Sequence, residues 1–340
     1  MMNHSSNITR DNHFISQVLL KNWSMDGTHI YTYQNLVPHS SSEIWKEKSI
    51  KSIAYQRDLY TVQNNGENDD TFEKWLAYEI ESPVNEILVK IKDEKKLDKE
   101  DFEYLIKFLA SHDLRTPSEY IQFQKFWNEN AKLGFERALK KFELLLNSDQ
   151  PIAPIKNEKN FFSDKFKFTI THGEGGSLEN SSMESEIPIG RKLWLQRQQY
   201  HMKNSLNVLL RYKWSVGRLA RKIPMFISDN PVVKMKLNNN GTFHLGSGWG
   251  NSNLIFLPLS PRHIFFTVDG ENYPDYIVFS TKESKHLQKL ICYSMYRYIF
   301  AHEMNPIIPK LIPRSVDTLL YQKDLEYWRN FHKIQIEVDQ

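Results

Sequence analysis

A single cysteine in 340 residues leaves no partner for a disulfide inside the chain and no thiolate set for a zinc site. Cys292 sits in LICYSMY, an apolar helical pattern, so a buried and inert thiol is expected. No run approaches the ~20 apolar residues of a membrane span. The first dozen residues, MMNHSSNITRDN, are polar and carry no apolar signal core, so the expected location is the cytoplasm. Charge of one sign is also lacking. Lysine plus arginine is 44 and aspartate plus glutamate 41, a net +3 that by itself says nothing about nucleic acid. There is no Gly-x-x-x-x-Gly-Lys-Ser/Thr phosphate loop. The glycine-rich GSGWGNSN, 246–253, precedes a strand rather than a helix and reads as a hairpin loop. No His-Glu-x-x-His occurs, none of the 12 histidines pair at metal-binding spacing on one helix turn, and no Gly-x-Ser-x-Gly elbow is found. The commonest nucleotide-binding, zinc-peptidase and esterase chemistries are thereby disfavoured.

What is present suffices for a sizeable core, with 40% apolar and 13% aromatic residues. Amphipathic helices are expected over about 71–92, 99–113 and 116–146, and again over 191–210 and 282–302. Thr116-Pro117-Ser118-Glu119 is a capping box with proline at the first helical position. Asp11 or Asn12 is expected to cap a short helix through Lys21. Strands are expected at THIYTYQ, KFKFTI, YKWSVGRL, MFIS, LIFLPLS and HIFFTV. VVKMKL-NNNG-TFHL reads as a hairpin turning at Asn240-Gly241. The tail, LEYWRNFHKIQIEV, reads as helix with a final strand. Helices gather in the first half and strands in the second. That segregation favours an α+β fold, a helical first half packed on a mostly antiparallel or mixed sheet. One unit over 1–340 is expected. The alternative is a helical part, 11–147, and a strand-containing part, 161–335, meeting at the proline-bearing SDQPIAPIKNEKN, 148–160.

Five places could carry chemistry. His13 and Gln17, four apart, would share one helix face, either as a proton-transfer pair or as structural hydrogen-bonders. Arg115 stands just before a helix N-cap, a poor place for a cation unless an anion lies between them. That anion is either a buried carboxylate or a phosphate-bearing ligand. Ser228-Asp229-Asn230-Pro231 ends a strand. Its acid either caps a turn or acts as general base or metal ligand. Glu79 and Glu81 lie on a helix, Glu79 toward the apolar side with Arg115 as the partner to test. From Arg191 to Lys222 nine basic residues (191, 192, 197, 203, 211, 213, 218, 221 and 222) stand without one acid. Trp194, Tyr200, Tyr212 and Trp214 are interleaved. Such a stretch suits a phosphodiester backbone and stacked bases, or else a solvated face balanced by acidic neighbours.

NHFISQVLLKNW, LRTP, FISDNPVV and LPLSP, in this order and at these separations, resemble the bacterial family called domain of unknown function 4238. The resemblance runs from His13 to YRYIFA, 296–301. It implies a shared polar cluster at His13, Gln17, Arg115, Ser228, Asp229 and Asn230, with Glu79 a looser match. Many members carry a second histidine where this chain has Asn12, which argues against a two-histidine metal site. No activity comes with the family. The expectation is a hydrolase of a phosphate-containing substrate, nucleic acid or nucleotide, and a nuclease in one form. His13, Asp229 and Glu79 would be catalytic. Gln17, Arg115, Ser228, Asn230, Arg197, Lys203 and Arg211 would bind substrate. Magnesium or manganese would suit two carboxylates without cysteine. The competing expectation is a non-catalytic module that binds nucleic acid or an anion.

Overall fold

The computed structural model describes residues 8–64, 66–146, 167–171, 182–186 and 188–339. The boundary stretch 148–160 lies outside these residues, as does 172–181. The chain opens with β1 (Asp11–His13), α1 (Gln17–Leu20), β2 (His29–Gln34), β3 (Leu36–Val37), β4 (Trp45–Ser49), β5 (Tyr55–Arg57), β6 (Val62–Asn64) and β7 (Glu67–Asp69). Helices follow: α2 (Thr71–Trp75), α3 (Ser82–Lys92), α4 (Lys99–Leu114) and α5 (Pro117–Leu146). Then come β8 (Lys167–Thr171), β9 (Ser182–Glu186), α6 (Arg191–Tyr200), α7 (Leu206–Leu210), β10 (Ser215–Arg218), β11 (Ile227–Ser228), β12 (Val233–Leu237) and β13 (Phe243–Leu245). The last part holds β14 (Leu254–Pro258), β15 (His263–Val268), β16 (Tyr276–Val278), α8 (Thr281–Ser294), β17 (Tyr298–Ala301), α9 (Ile308–Leu311), β18 (Ser315–Val316) and α10 (Thr318–Asp339). The architecture is α+β, with the long helices of the first half packed beside a mixed sheet from the second.

Local chemistry explains most helix ends. Asp98 accepts from the Asp101 amide while the Asp101 carboxylate accepts from the Asp98 amide, which closes the start of α4. Thr116 caps α5 by accepting the Glu119 amide at 3.2 Å, but the Glu119 side chain turns away to Arg197. π-helical turns interrupt two helices, Leu76–Glu81 between α2 and α3 and His201–Ser205 between α6 and α7. Such turns widen the helix and shift the face that follows.

Six strands order as β13-β12-β14-β15-β10-β16, antiparallel except for the parallel pair β10 and β16. β14 and β15 are buried on both faces, which is why LIFLP and HIFFTV read as continuous apolar runs. Gly217 in β10 lets the Phe279 ring lie against the backbone; a Cβ there would meet the ring at 2.1 Å. A second antiparallel sheet orders as β11-β17-β2-β4. The hairpin at Asn240-Gly241 is as the sequence implies, with Gly241 at φ 79°. Residues 246–253 do not close a hairpin. They carry the chain from β13 past the end of β12 to β14, since both flank β12.

Three expected elements differ. β1 replaces the first turns of the opening helix, and Ser16, not Asp11 or Asn12, caps α1 by accepting the Leu19 amide. The helix expected to reach His302 stops at Ser294, and Tyr298–Ala301 is strand β17. The tail is helix to Asp339 with no final strand. The main apolar core takes side chains from Phe14 through Phe331, drawing on the early helices, both sheets and α10. Among the described residues no helix is long and apolar enough to cross a membrane.

Candidate functional site

Arg115 is the side chain on which the opening segment folds. It caps the C-terminus of α4 and is fully buried. Its Nε donates to the Phe14 carbonyl at 3.1 Å, one terminal nitrogen donates to Glu81 Oε1 at 2.7 Å, and the other reaches His112 Nε2 at 2.9 Å. The anion anticipated beside Arg115 is therefore a carboxylate of the chain itself, and it is Glu81 rather than Glu79. The π turn sets this: Leu76 and Ile80 are buried, Glu81 turns inward, and Glu79 is exposed to solvent. Glu79 thus leaves the candidate catalytic set, and Arg115 is buried with each of its three nitrogens already engaged within the chain. His112 Nδ1 faces the Phe108 carbonyl at 2.8 Å and Nε2 accepts the Ser16 amide, so this ring is the neutral Nδ1–H tautomer. Burial, with Arg115 beside it, holds His112 well below the usual histidine range.

His13 lies at the end of β1 and Gln17 begins α1, so they do not share a helix face. Gln17 Nε2 comes only to 3.5 Å from His13 Nδ1, a marginal contact. Burial lowers the His13 basicity, and Arg115 lowers it further against the pull of Asp11. Asn12 is a clip. Its Oδ1 accepts the Tyr60 amide and its Nδ2 donates to the Thr9 carbonyl. The rest of the opening motif docks in the same way. Asn22 donates to the Leu259 carbonyl of LPLSP, and the buried Trp23 indole donates to the Met225 carbonyl before the Ser-Asp-Asn-Pro turn.

That turn is equally structural. Asp229 accepts three backbone amides, Tyr296 at 2.8 Å, Arg297 at 2.6 Å and Tyr298 at 3.0 Å. These are the amides a continuing α8 would have used, so Asp229 ends the helix and starts β17. Burial raises its carboxyl to about 6, opposed by the three amides and Arg297. Ser228 donates to the Asn230 carbonyl, and Asn230 Nδ2 donates to the Ser294 carbonyl. With Asp229 saturated and Glu79 in solvent, the carboxylate pair expected to hold magnesium or manganese is not assembled. Among the described residues no group of three or more His, Cys, Asp or Glu is placed to hold a metal ion.

Glu73 of α2 also faces the Arg115 cluster. Burial pushes its carboxyl up to about 8, helped by Glu81 and Asp70 and opposed by Arg115, and its Oε2 is buried without a partner. The folded protein therefore holds a proton that the unfolded chain releases near the ordinary 4.5. Stability from this group is complete below that value and is lost as pH rises toward about 8. Glu73→Gln is expected to remove that loss, so urea midpoints measured between pH 5 and 9 should decline less than in the wild type. Equal declines would show that Glu73 ionises freely.

Of the four aromatics interleaved in the basic stretch from Arg191 to Lys222, only Tyr200 is exposed, so the row of stacking faces the sequence suggests is not assembled. Trp194 and Trp214 are core residues, and the half-buried Tyr212 donates to the Trp249 carbonyl. Arg191 is buried, donating to the Asp58 carbonyl and meeting His332 Nδ1. Arg218 pairs with Glu94. Lys203 and Arg211 are exposed, and Arg211 and Lys213 border a hollow of about 570 Å³ in which Asp269 and Glu271 balance their charge. The stretch's acidic partners in ion pairs include Glu94 and Glu119.

The groove that does collect polar groups was not foreseen as a whole. Two adjoining hollows, of about 370 and 350 Å³, share Asp113, Glu119, Lys234 and Gly246. Asp113, in the last turn of α4, accepts Lys234 Nζ of β12 and the Trp249 indole N–H, both at 2.7 Å. Glu119, in the first turn of α5, pairs with Arg197 of α6. On the π turn, His201 Nδ1 lies 2.9 Å from Ser205 Oγ. Burial, with Arg197 and Lys234 near, brings His201 down to about 4, so it is neutral at pH 7. Burial also raises Glu119 above the usual carboxylate range, against the pull of Arg197 and Lys234. Of the expected residues, Arg197 and Asn230 line this groove; Asp229, on the far side of the turn, lines another cavity. The signal for the rest was available. His201 and Ser205 stand four apart on a helix the sequence predicts, the same spacing that singled out His13 and Gln17.

No curated protein and no solved structure matches this chain. A family model does, over residues 11–305, a span that takes in the docking motifs at Asn12, Trp23, Arg115 and Asp229 and every wall of the groove. The chain belongs to the family described as protein of unknown function (DUF4238).

Proposed function

We propose that this protein is a hydrolase of a small phosphate ester, a nucleotide or a phosphorylated metabolite, acting in the groove at Ser205. One observation carries the reading: the His201–Ser205 hydrogen bond opens into the same hollow as Lys234 and Arg197. Ser205 Oγ attacks phosphorus, and its proton passes to His201 Nδ1. The leaving oxygen departs with that proton, and water then cleaves the seryl phosphate. Lys234 and Arg197 take the phosphoryl oxygens by exchanging their partners Asp113 and Glu119. A neutral His201 accepts a proton throughout the range above about pH 4, so the rate should be flat through neutrality. A small substrate is favoured over a polymer because Trp194 and Trp214 of the basic stretch are core and Tyr212 is tied to Trp249, which leaves Tyr200 alone exposed.

Ser205→Ala is expected to lower kcat/KM for p-nitrophenyl phosphate or a nucleotide by about 100- to 1000-fold, with the melting temperature unchanged. Lys234→Met should act mainly on KM. A second reading is a module that binds such anions without turnover. The weak basicity of His201 favours it, since a base of pKa about 4 drives proton transfer poorly. Phosphate bound in calorimetry, with no product from nucleotides, DNA, RNA or p-nitrophenyl phosphate, would select the second reading. Neither binding nor product would remove both.

A further inference from the structure

A separate cavity of about 210 Å³ lies between the second sheet and α10. Its floor follows from strand register. Thr32 opposes Phe300 and Gln34 opposes Tyr298, so these four share one face of β2 and β17. Lys48 of β4 sits opposite Ile30, diagonal to Thr32, and joins them. Tyr321 and Trp328 of α10 form the roof, and Tyr55 closes one side. The Arg297–Asp324 ion pair and Asp229 also line the cavity. α10 lies beyond the family match, which ends at residue 305.

Two polar groups here are unused. Thr32 is only 4% exposed, and its hydroxyl, sealed from solvent, has no partner. The Lys48 amine is half-buried and, among the described residues, has no ion-pair or hydrogen-bond partner. A buried hydroxyl without a partner costs stability unless a ligand supplies one. Arg297 is paired with Asp324 and Asp229 is held by three amides, so the Lys48 ammonium is the lining charge left to set that of a ligand.

We propose that this cavity binds a single-ring aromatic carboxylate, its carboxylate on Lys48 and the Thr32 hydroxyl and its ring between Tyr55, Tyr298 and Trp328. Size limits the occupant. A cavity of roughly 150 Å³ holds benzene, so this one admits a ring with a small substituent and not a nucleotide. The aromatic walls select against a bare inorganic anion. The site shares no lining residue with the groove at Ser205, so either can fail without the other.

The test is titration of the full chain with benzoate and salicylate, read by tryptophan fluorescence and by calorimetry, with benzamide and inorganic phosphate as comparisons. Saturable binding is expected, at least ten-fold tighter for the carboxylates than for benzamide or phosphate. Lys48→Met should abolish that preference, and Thr32→Val should weaken carboxylate binding several-fold. Without ligand, Lys48→Met should keep the wild-type melting temperature and Thr32→Val should match or exceed it, since it removes the unpartnered hydroxyl; Ser205→Ala should bind as the wild type does. No saturable binding at millimolar benzoate, equal binding of benzamide, preference for phosphate, or a Lys48→Met protein that binds unchanged would each overturn the assignment.

Discussion

Arg115→Met is expected to lower the free energy of unfolding by about 3–5 kcal/mol, the usual cost of removing one partner from a buried ion pair. The reason lies in what remains. The Glu81 carboxylate loses the guanidinium it is paired with, and the Phe14 carbonyl and His112 Nε2 lose a donor. Tyr60 donates to the Arg115 carbonyl at 2.9 Å, so any shift of this backbone also disturbs the Tyr60 ring packed on Phe72 and Trp194. Arg115→Lys should recover only part of the loss, since one ammonium cannot serve three acceptors lying in different directions. Arg115→Met combined with Glu81→Leu should recover more, because the orphan charge goes with its partner. Urea denaturation measures all three. A loss below about 1 kcal/mol for Arg115→Met would mean that the network is loose and that its arginine could be spared for a ligand.

Asp229→Ala should cost about as much, roughly 3–5 kcal/mol, by a different route. It strands three backbone amides, each left unsatisfied at about 1–3 kcal/mol when buried. The ionised carboxylate is the only group that can accept all three, through Oδ1 from Tyr296 and Oδ2 from Arg297 and Tyr298. Asp229→Asn retains one acceptor oxygen and turns an amide N–H against a backbone N–H, so it should fall between wild type and alanine. A stability loss with β17 displaced marks the carboxylate as a structural clip. Unchanged denaturation with turnover abolished would instead restore Asp229 as a catalytic base.

These two residues mark how far residue patterns reach. The order of the four motif pieces was legible and correctly joined distant parts of the chain. What they join is a packing junction. Asn22 and Trp23 tie the opening segment to Leu259 and Met225, Arg115 ties it to α4, and Asp229 splices α8 to β17. A set of polar residues at fixed separations looks the same on paper whether its groups satisfy one another or face a ligand. Only the count of donors and acceptors in three dimensions distinguishes the cases.

The extension of α8 to His302 failed for a related reason. Leu287, Ile291, Met295 and Tyr298 keep helical spacing, so nothing local marks an end. The terminator is a carboxylate more than sixty residues upstream. Likewise the π turn at Leu76–Glu81 breaks the phase on which the assignment of Glu79 to the inner side depended.

The sequence by itself determined what neighbours within a few residues can enforce. It specified the Asp98 and Thr116 helix starts, the Asn240-Gly241 turn, the doubly buried strands β14 and β15, and the α+β class. These rest on hydrogen bonds and side-chain periodicity acting over one or two turns. Tertiary structure alone decided which carboxylate neutralises Arg115, where α8 stops, and which polar groups stay open to solvent. Lys234, Arg197, His201 and Ser205 meet in one hollow, and Thr32 lies beside Lys48, because helices and sheets pack by burying their apolar faces. That packing places the polar groups between distant segments wherever the faces happen to leave room.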